Sequence, residues 1–274
     1  MTTISVIIPT FDRQARVAEA IQSVLDQDYT DLEILVIDDG SQDGTRKEVA
    51  KFGESCRYVF QVNQGPSAAR NTGLELANGD LLSFLDSDDV WLPGKIRTEL
   101  QLFERYPNIE AIAGNAESYV EDKLRTASVF SDRKIGFSRS ELRLFCWSLP
   151  IMRLGPSCIM SALTIKKTVL ERIGAAPFDE SLRFDEDWDF EFKLFSRCEA
   201  LLDQQIYCRK RAYDDGTRRY YSIWGKQKSD REWRAIWQTQ IMILERYLGQ
   251  IDWGVKTEES FTKRRDELLL LLDG

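Results

Sequence analysis

The stretch FLDSDDVWLP, residues 84 to 93, places three aspartates directly after an apolar run. Asp86 and Asp88 are separated by one residue, and Asp89 follows at once. Carboxylates at this spacing suit Mg²⁺ or Mn²⁺, hard cations that proteins often hold through one or two carboxylates together with substrate phosphates. Three unpaired acids in one turn would raise one another's pKa, and a bound cation would relieve that repulsion. The turn therefore predicts a metal diphosphate as ligand, with ordinary turn formation as the alternative, since Asp also favours turns.

The composition narrows the chemistry that this chain can perform. Its 274 residues include no histidine, so acid–base chemistry falls to carboxylates, Tyr, Lys or Cys, and metal binding falls to oxygen ligands. Five scattered cysteines without a CxxC pair predict reduced thiols. The net charge of −8 argues against nucleic acid as a partner. No basic leader and no membrane-length apolar run are present, so we expect a cytoplasmic protein.

Four short apolar runs must position the aspartates, and each is followed by a polar turn. The runs are residues 4–8, 34–37, 57–62 and 80–86. Helical patterns lie between them, the first with apolar residues recurring at 3.6-residue spacing. Strands that alternate with helices need crossover connections, which pair neighbouring strands in parallel and cover both faces of the sheet. The first hundred residues therefore predict a doubly wound α/β sheet.

Polar clusters follow each of the four predicted strands. They are Pro9, Thr10 and Asp12 after the first, Asp38 and Asp39 after the second, Gln64 and Gly65 after the third, and the three aspartates after the fourth. Any one cluster is typical of helix capping and turns. Ligands of open α/β sheets, however, bind outside the carboxyl ends of the strands. Four clusters at one edge therefore predict a ligand site there.

Six segments together carry a family resemblance. They are SVIIPTFDR, ILVIDDGSQDGT, NQGPSAARNTGLELANGD, FLDSDDVWLPGK, the acidic stretch PFDESLRFDEDWDFEFKLFSR and IYCRKR. In order and spacing this set resembles family 2 glycosyltransferases, inverting enzymes of the GT-A fold, over roughly residues 3–212. The resemblance implies a GT-A-type, mainly parallel sheet flanked by helices. It also implies a nucleotide-sugar donor, with a UDP-sugar first, and Mn²⁺ or Mg²⁺ as cofactor.

The resemblance assigns donor-binding roles to individual residues. The loop after the first strand, with Pro9, Thr10 and Asp12, would hold the nucleotide together with Asp39, which would accept a hydrogen bond from a ring N–H of the base. Arg70 would lie near the nucleotide and the diphosphate.

The same resemblance divides the three aspartates of the acidic turn. Asp86 would contact the ribose side, Asp88 would bind the metal that bridges the diphosphate oxygens, and Asp89 would support them or contact the sugar. A divalent metal in this place would neutralise the charge that grows on the leaving diphosphate.

The resemblance also implies a catalytic base in the stretch FDEDWDF, where Asp187 matches the second position of the family's Glu-Asp pair. A carboxylate there would take a proton from the acceptor hydroxyl. Spacing alone does not choose among Asp185, Asp187 and Asp189. The alternative for this stretch is an acidic first turn on an amphipathic helix. Its buried stripe would consist of Trp188, Phe192 and Phe195.

One position departs from the family. Many members carry a histidine shortly after a YxRxH-like segment, and IYCRKRAYDDGTRR has none. Asp214 or Asp215 would keep a metal ligand. Lys210, Arg211 and Arg218 would instead contact phosphates directly and weaken the metal dependence. A charged loop without any donor contact is the third reading.

The organisation of the chain follows from the same patterns. We expect a GT-A domain at 1–215, with a nucleotide-sugar half at 1–100 and an acceptor half at 101–215, and a helical appendage at 216–274. A short helix is predicted within 138–149. The appendage, less acidic than the body, has an apolar stripe at helical spacing, which predicts packing on the catalytic domain or in a homodimer. The rival is peripheral contact with the inner face of the membrane.

These observations together predict an inverting glycosyltransferase. It would move a sugar from a nucleotide-diphospho-sugar to a saccharide or lipid-linked saccharide, in cell-envelope or extracellular polysaccharide biosynthesis. The alternatives are a nucleotide-sugar-binding protein without transferase activity and a sugar nucleotidyltransferase. The second lacks its usual glycine-rich, basic phosphate loop here, because the first strand leads into IPTFDRQAR.

Overall fold

A computed structural model describes most of the chain. The described residues are 1–120, 122–132, 143–145, 158–211, 230–248 and 255–273. The first elements are β1 (Ile4–Thr10), α1 (Val17–Leu25), β2 (Leu32–Asp38), α2 (Thr45–Ala50), β3 (Arg57–Phe60), α3 (Pro66–Leu76), β4 (Leu81–Phe84), β5 (Val90–Trp91) and α4 (Lys95–Arg105). The later elements are β6 (Ala111–Val120), β7 (Lys123–Thr126), α5 (Val129–Asp132), β8 (Arg143–Phe145), β9 (Leu163–Lys166), α6 (Leu170–Ile173), α7 (Glu186–Phe195), β10 (Ala200–Arg211), α8 (Asp230–Tyr247) and α9 (Val255–Asp273).

Within the described residues, ten strands form one sheet. Its order is β3-β2-β1-β4-β9-β6-β10-β5, with β7 beside β6 and β8 beside β10. The strands β3, β2, β1 and β4 pair in parallel with one another, and β6 pairs in parallel with β10. Strand β9 lies antiparallel between β4 and β6 and so joins the two parallel blocks. The predicted doubly wound, mainly parallel sheet is confirmed.

The four predicted strands of the first hundred residues are all present. Strand β3 ends at Phe60 and β4 at Phe84, earlier than the apolar pattern indicates. Asp86 therefore lies in the turn beyond β4. The core of this half consists of the β-branched and apolar residues of the central strands, and Val6, Ile7 and Ile8 are fully buried.

Helix α3 lies unusually close to β1 because of a glycine. A Cβ atom on Gly73 would come within 2.4 Å of Ile7 Cγ2, so a larger residue would push the helix away from the sheet. The helix begins with Pro66 at its first position, where a missing N–H is tolerated. This packing brings the first turns of α3, including Arg70, to the carboxyl end of β1.

The helix predicted within 138–149 is wrong for the residues that the structure describes there. Arg143–Phe145 form strand β8, which pairs antiparallel with Ala200–Leu202 of β10. Backbone hydrogen bonds to an existing strand edge outweigh a weak local helical preference. Leu142 and Cys146, the other apolar positions of that predicted helix, lie outside the described residues.

The predicted C-terminal helices are present as α8 and α9. The stripe of α8 faces the body: Ile241, Leu244 and Tyr247 are buried, and the Tyr247 ring stacks on Phe192 of α7 at 5.0 Å. Packing on the catalytic body is thus confirmed for α8. Among the described residues, no helix is both long and apolar enough to cross a membrane. The predicted boundary at residue 215 lies outside the described residues and stays a prediction.

Candidate active site

Three neighbouring parallel strands deliver the predicted residues to one edge of the sheet. We call residues 9–13, 38–41 and 85–89, which end or follow β1, β2 and β4, the ligand edge. The register pairs Thr10 with Asp38, so the first two loops leave the sheet side by side. A hydrogen bond from the Asp39 N–H to the Thr10 carbonyl at 2.8 Å extends that pairing by one residue.

Asp39 is held in one orientation by the chain that follows β3. Its Oδ1 accepts from the backbone N–H of Gln64 at 3.0 Å and from Gln61 Nε2 at 2.7 Å, and its Oδ2 accepts from the Gly65 N–H at 2.8 Å. The carboxylate is 3% exposed. These bonds fix where any ring N–H would have to approach it.

The loop after β1 presents the other predicted nucleotide contacts. Pro9 is half-buried, and the buried Thr10 Oγ1 has no hydrogen-bond partner within the described part of the chain. Asp12 is exposed and has a left-handed backbone, with φ of 50°. Its N–H donates to Ser41 Oγ at 2.9 Å, and its Oδ1 accepts from the Gln42 N–H at 2.8 Å. Asp12 therefore ties the first two loops together.

The three aspartates of the acidic turn point into different surroundings. Asp89 is almost fully buried, and its carboxylate accepts from the Ser161 hydroxyl at 2.6 Å and from the Arg211 N–H at 2.9 Å. Burial raises the pKa of Asp89 to about 7; the charge of Lys210 opposes that shift, and the neighbouring Asp88 and Asp86 add to it. Asp89 thus anchors the turn from inside, and its predicted role in supporting a bound donor stays a prediction.

Asp88, like Asp86, is partly exposed. Its Oδ2 lies 3.5 Å from Arg13 Nε, its side chain is 15% exposed, and its carbonyl accepts from Arg211 Nη1 at 3.1 Å. The described residues contain no group of three or more His, Cys, Asp or Glu side chains placed to hold a metal. An oxygen ligand of this kind fits Mg²⁺ or Mn²⁺ only if phosphate oxygens and water complete the coordination.

Arg70 joins the acidic turn to α7. Its Nη2 donates to Asp86 Oδ1 and its Nη1 to Glu186 Oε1, both at 3.0 Å, while the guanidinium is 4% exposed and lies over the Phe178 ring. Burial disfavours the charge of Arg70, but Asp86 and Glu186 outweigh it and raise the pKa of Arg70. Burial likewise opposes ionisation of Asp86, and Arg70 and Lys210 outweigh it, so the pKa of Asp86 is lowered.

The start of α7, residues 185–189, carries three aspartates in unequal settings. Asp189 is fully buried and accepts from Arg246 Nη1 at 2.7 Å and Tyr247 Oη at 3.0 Å. Asp185 has φ of 56° and accepts from Gln240 Nε2 at 3.1 Å. Asp187 is half-buried, and its Oδ1 accepts from the Trp188 N–H at 2.9 Å.

Asp187 acts electrostatically on Arg70, the residue that contacts both the acidic turn and Glu186. Its charge helps to raise the pKa of Arg70, and it adds to burial in raising the pKa of Glu186. The predicted buried stripe of α7 is confirmed, since Trp188, Phe192 and Phe195 are all buried. The acidic residues at the start of α7 therefore differ in their surroundings. Asp189 is buried and helps to hold α7 against α8.

Positively charged side chains, Lys210 and Arg211, lie in the segment where many family members carry a histidine. Arg211 contacts the acidic turn through its backbone and its guanidinium, as given above, and it also pairs with Glu19 at 3.3 Å. Lys210 acts electrostatically on Asp86 and Asp89. The other predicted substitutes, Asp214, Asp215 and Arg218, lie outside the described residues.

Three residues that support this site, Ser161, Lys95 and Glu99, were not identified from sequence patterns. Ser161 donates to Asp89 and accepts from the Asp86 N–H at 3.1 Å, although no local pattern marks it. Lys95 is fully buried, pairs with Glu99 at 2.8 Å and lies 4.1 Å from the centre of the Trp91 ring. A lysine and a glutamate four residues apart are a visible signal, but one that usually marks a solvated helix face.

Comparisons with known proteins agree with this geometry. The model of the family described as glycosyl transferase family 2 matches residues 5–160. A relative from Rickettsia prowazekii named an uncharacterized glycosyltransferase is 29% identical over 77% of this chain and 64% of its own length. An Escherichia coli relative, named UDP-Glc:alpha-D-GlcNAc-diphosphoundecaprenol beta-1,3-glucosyltransferase, is 30% identical over 68% of this chain and 66% of its own length. The chain thus spans less than two thirds of these relatives.

Solved structures share the fold at low identity. Staphylococcus aureus TarS 1-349 in complex with UDP-GlcNAc has a TM-score of 0.71 at 18% identity, covering 97% of this chain and 71% of that one. The Pyrobaculum calidifontis mannosyltransferase PcManGT, in complex with GDP-Man and Mn²⁺, has a TM-score of 0.66 at 18% identity, covering 99% and 73%. The sheet, the acidic turn and the family match lead to one conclusion: this chain belongs to glycosyltransferase family 2.

Proposed function

We propose that this chain is the catalytic unit of an inverting glycosyltransferase that moves a sugar from a UDP-sugar to a hydroxyl of a saccharide acceptor. The observation that carries the proposal is the double contact of Arg70, with Asp86 and Glu186 both at 3.0 Å. One guanidinium thereby brings the acidic turn, which suits a diphosphate, next to the start of α7, which suits a base. Inverting transfer needs these two groups on opposite sides of one anomeric carbon.

The ligand edge would bind the donor. Asp39, fixed by three hydrogen bonds, would accept from the base, and the unpaired Thr10 hydroxyl would be available to the same nucleotide. Asp86 would face the ribose side and Asp88 would hold Mn²⁺ or Mg²⁺ together with the diphosphate oxygens. When bound, the ion would neutralise charge on the departing diphosphate. Asp89 would hold the turn in place through Ser161 and the Arg211 backbone.

Asp187 would act as the general base. Of the three aspartates at the α7 start, Asp189 accepts from Arg246 and Tyr247, and Asp185, the residue immediately before the helix, accepts from Gln240. Asp187 is half-buried and acts electrostatically on Arg70 and Glu186. A carboxylate so placed can take the proton of an acceptor hydroxyl as the sugar is transferred.

The acceptor would be a lipid-linked saccharide. The Escherichia coli relative is named for a diphosphoundecaprenol-linked acceptor, and this supports the proposal that the reaction would belong to envelope or extracellular polysaccharide assembly. Work at the inner face of the membrane would follow from such an acceptor.

A thermal-shift panel tests the proposal. Nucleoside diphosphates and nucleotide sugars are added with and without Mn²⁺, followed by transfer assays on short saccharides and on undecaprenol-diphosphate-linked sugars. We expect one uridine ligand to raise the melting temperature in a Mn²⁺-dependent way, since saturation at 100 times Kd stabilises by about 2.7 kcal/mol. No Mn²⁺-dependent shift with any nucleotide would contradict the donor assignment. A shift without any transfer would indicate a binding protein instead.

A further inference from the structure

One face of α8 holds the start of α7. Gln240 Nε2 donates to Asp185 Oδ2 at 3.1 Å, and Arg246 Nη1 donates to Asp189 Oδ1 at 2.7 Å. Tyr247 Oη donates to that same Asp189 oxygen at 3.0 Å. The two anchored aspartates lie two residues before and two residues after Asp187. Contacts from one helix therefore bracket the proposed base on both sides.

The Tyr247 contact is buried, the Gln240 and Arg246 contacts are partly buried, and all three are charge-assisted. Asp189 is 0% exposed, and Gln240 is 1% exposed. Arg246 also reaches the loop before α7, where its Nη2 donates to Asp179 Oδ2 at 2.9 Å. Hydrogen bonds between ionised partners are about twice as strong as neutral ones. Lys193 Nζ also lies 2.8 Å from Asp189 Oδ2, so the buried Asp189 carboxylate has one cationic partner on α7 and another on α8.

The backbone at the α7 start is itself unusual. Asp185 has φ of 56°, a left-handed conformation that residues other than glycine adopt rarely, and it is the residue immediately before α7. Such a conformation persists when its surroundings hold it, and Gln240 is one of the groups that do so. The direction in which the first turn of α7 points thus depends on α8.

We propose that Gln240, Arg246 and Tyr247 are positioning residues that act through Asp187, so that α8 aims the base at the acceptor hydroxyl. The inference rests on the proposed function of Asp187 and extends it to a helix outside the family match at 5–160. The donor is bound elsewhere, at the ligand edge. Loss of these contacts should therefore slow transfer while leaving donor binding intact.

The test compares Arg246→Met and Gln240→Met with the control Glu245→Gln, an exposed position of the same helix. We expect kcat at saturating donor to fall by about tenfold to a hundredfold, as small misplacements of a catalytic group do. The Kd of UDP with Mn²⁺, measured by calorimetry, should stay unchanged. Unchanged kcat, or a parallel loss of UDP affinity, would overturn the inference.

Two further variants keep the inference testable if Arg246→Met fails to fold. Tyr247→Phe retains the ring stack on Phe192 and removes only the hydroxyl, so we expect a loss of about fivefold in kcat, as for one hydrogen bond. In an Asp187→Asn background, Tyr247→Phe should have no further effect on kcat, since residues that act as a unit are not additive. Full additivity would overturn the inference. Failure of the proposed function looks different, because the parent protein would then transfer no sugar.

Discussion

The ligand edge and the α7 start are built in different ways. The ligand edge takes its side chains from three neighbouring parallel strands within the first ninety residues, and each side chain follows its strand directly. The α7 start is held by groups far away in sequence, above all Arg70 and the residues of α8. Parallel pairing therefore brings the ligand-edge side chains together, and contacts such as Ser161 with Asp89 then hold them, whereas the α7 start depends on long-range side-chain contacts from the outset.

This difference predicts which property each substitution changes. Substitutions at the ligand edge should alter donor affinity, and those at the α7 start should alter turnover. Arg70 contacts both regions and should alter both properties.

Asp187→Asn should abolish most of the transferase activity without changing the affinity for the nucleotide-sugar donor. The amide cannot accept the acceptor's proton, and loss of a general base typically lowers kcat by about 10² to 10⁴. Steady-state kinetics with a saturating nucleotide sugar measure the effect, and Asp185→Asn is the matched variant. If Asp185→Asn is inactive while Asp187→Asn stays within a few-fold of the parent, the base has been misassigned.

Arg70→Met should damage both regions at once. It leaves Asp86 and Glu186 without their shared partner in a buried setting, which costs about 3–5 kcal/mol of unfolding free energy. Urea denaturation measures that loss, and both UDP affinity and kcat should fall in whatever protein remains folded. Arg97→Met, at an exposed ion pair with Asp28, is the control and should change stability little. A fall in UDP affinity alone, or in kcat alone, would contradict the role of Arg70 as a link between the two regions.

Lys95→Met should destabilise the support beneath the acidic turn. Burial already raises the pKa of Glu99 although Lys95 opposes it, and removing Lys95 raises that pKa further. We expect a loss of about 3 kcal/mol at neutral pH, as for a broken buried pair. Because the folded-state pKa of Glu99 lies above its unfolded value, the folded variant binds the proton more tightly. The stability that protonated Glu99 contributes is therefore fully present below its unfolded pKa and is lost as the pH rises through the folded pKa.

Denaturant titrations at several pH values check this expectation. The double variant Lys95→Met with Glu99→Leu should recover most of the stability, since replacing both partners by apolar groups is often neutral. If the free energy of unfolding of Lys95→Met varies with pH no more than that of the parent, Glu99 is not left buried and charged in this variant.

Ser161→Ala should weaken the ligand edge alone. It removes the hydroxyl that donates to Asp89 and accepts from the Asp86 N–H, at a cost of about 1–3 kcal/mol. UDP affinity with Mn²⁺ should fall, while kcat at saturating donor should stay near that of the parent. Ser131→Ala, at an exposed serine, serves as the control. A fall in kcat with unchanged UDP affinity would reverse the expected pattern.

Sequence patterns were informative where the structure depends on residues that are close together in the sequence. The strands before Asp39 and Asp86, the helix start at Pro66 and the buried stripe of α7 all follow from local periodicity and turn chemistry. The converging polar clusters then follow from parallel pairing. The wrong helix at 138–149 shows the limit, because an edge of β10 captured residues 143–145 as a strand.

The remaining features depend on contacts between distant segments. Ser161 meets Asp89 from 72 positions away, and Arg70 meets Glu186 from 116 positions away. No periodicity encodes such pairs. The structural role of Asp189 likewise needed α8, whose Arg246 and Tyr247 donate to its carboxylate. Burial and partner, rather than spacing, distinguish the structural acid from the proposed base.

The most direct test is a calorimetric titration of UDP with Mn²⁺ into Asp88→Asn and Asp187→Asn side by side. If the ligand edge binds the donor and the α7 start supplies the base, Asp88→Asn loses the Mn²⁺-dependent binding, whereas Asp187→Asn binds UDP as the parent does. If Asp88→Asn binds UDP with Mn²⁺ like the parent, or Asp187→Asn loses that binding, the division between the two regions is wrong.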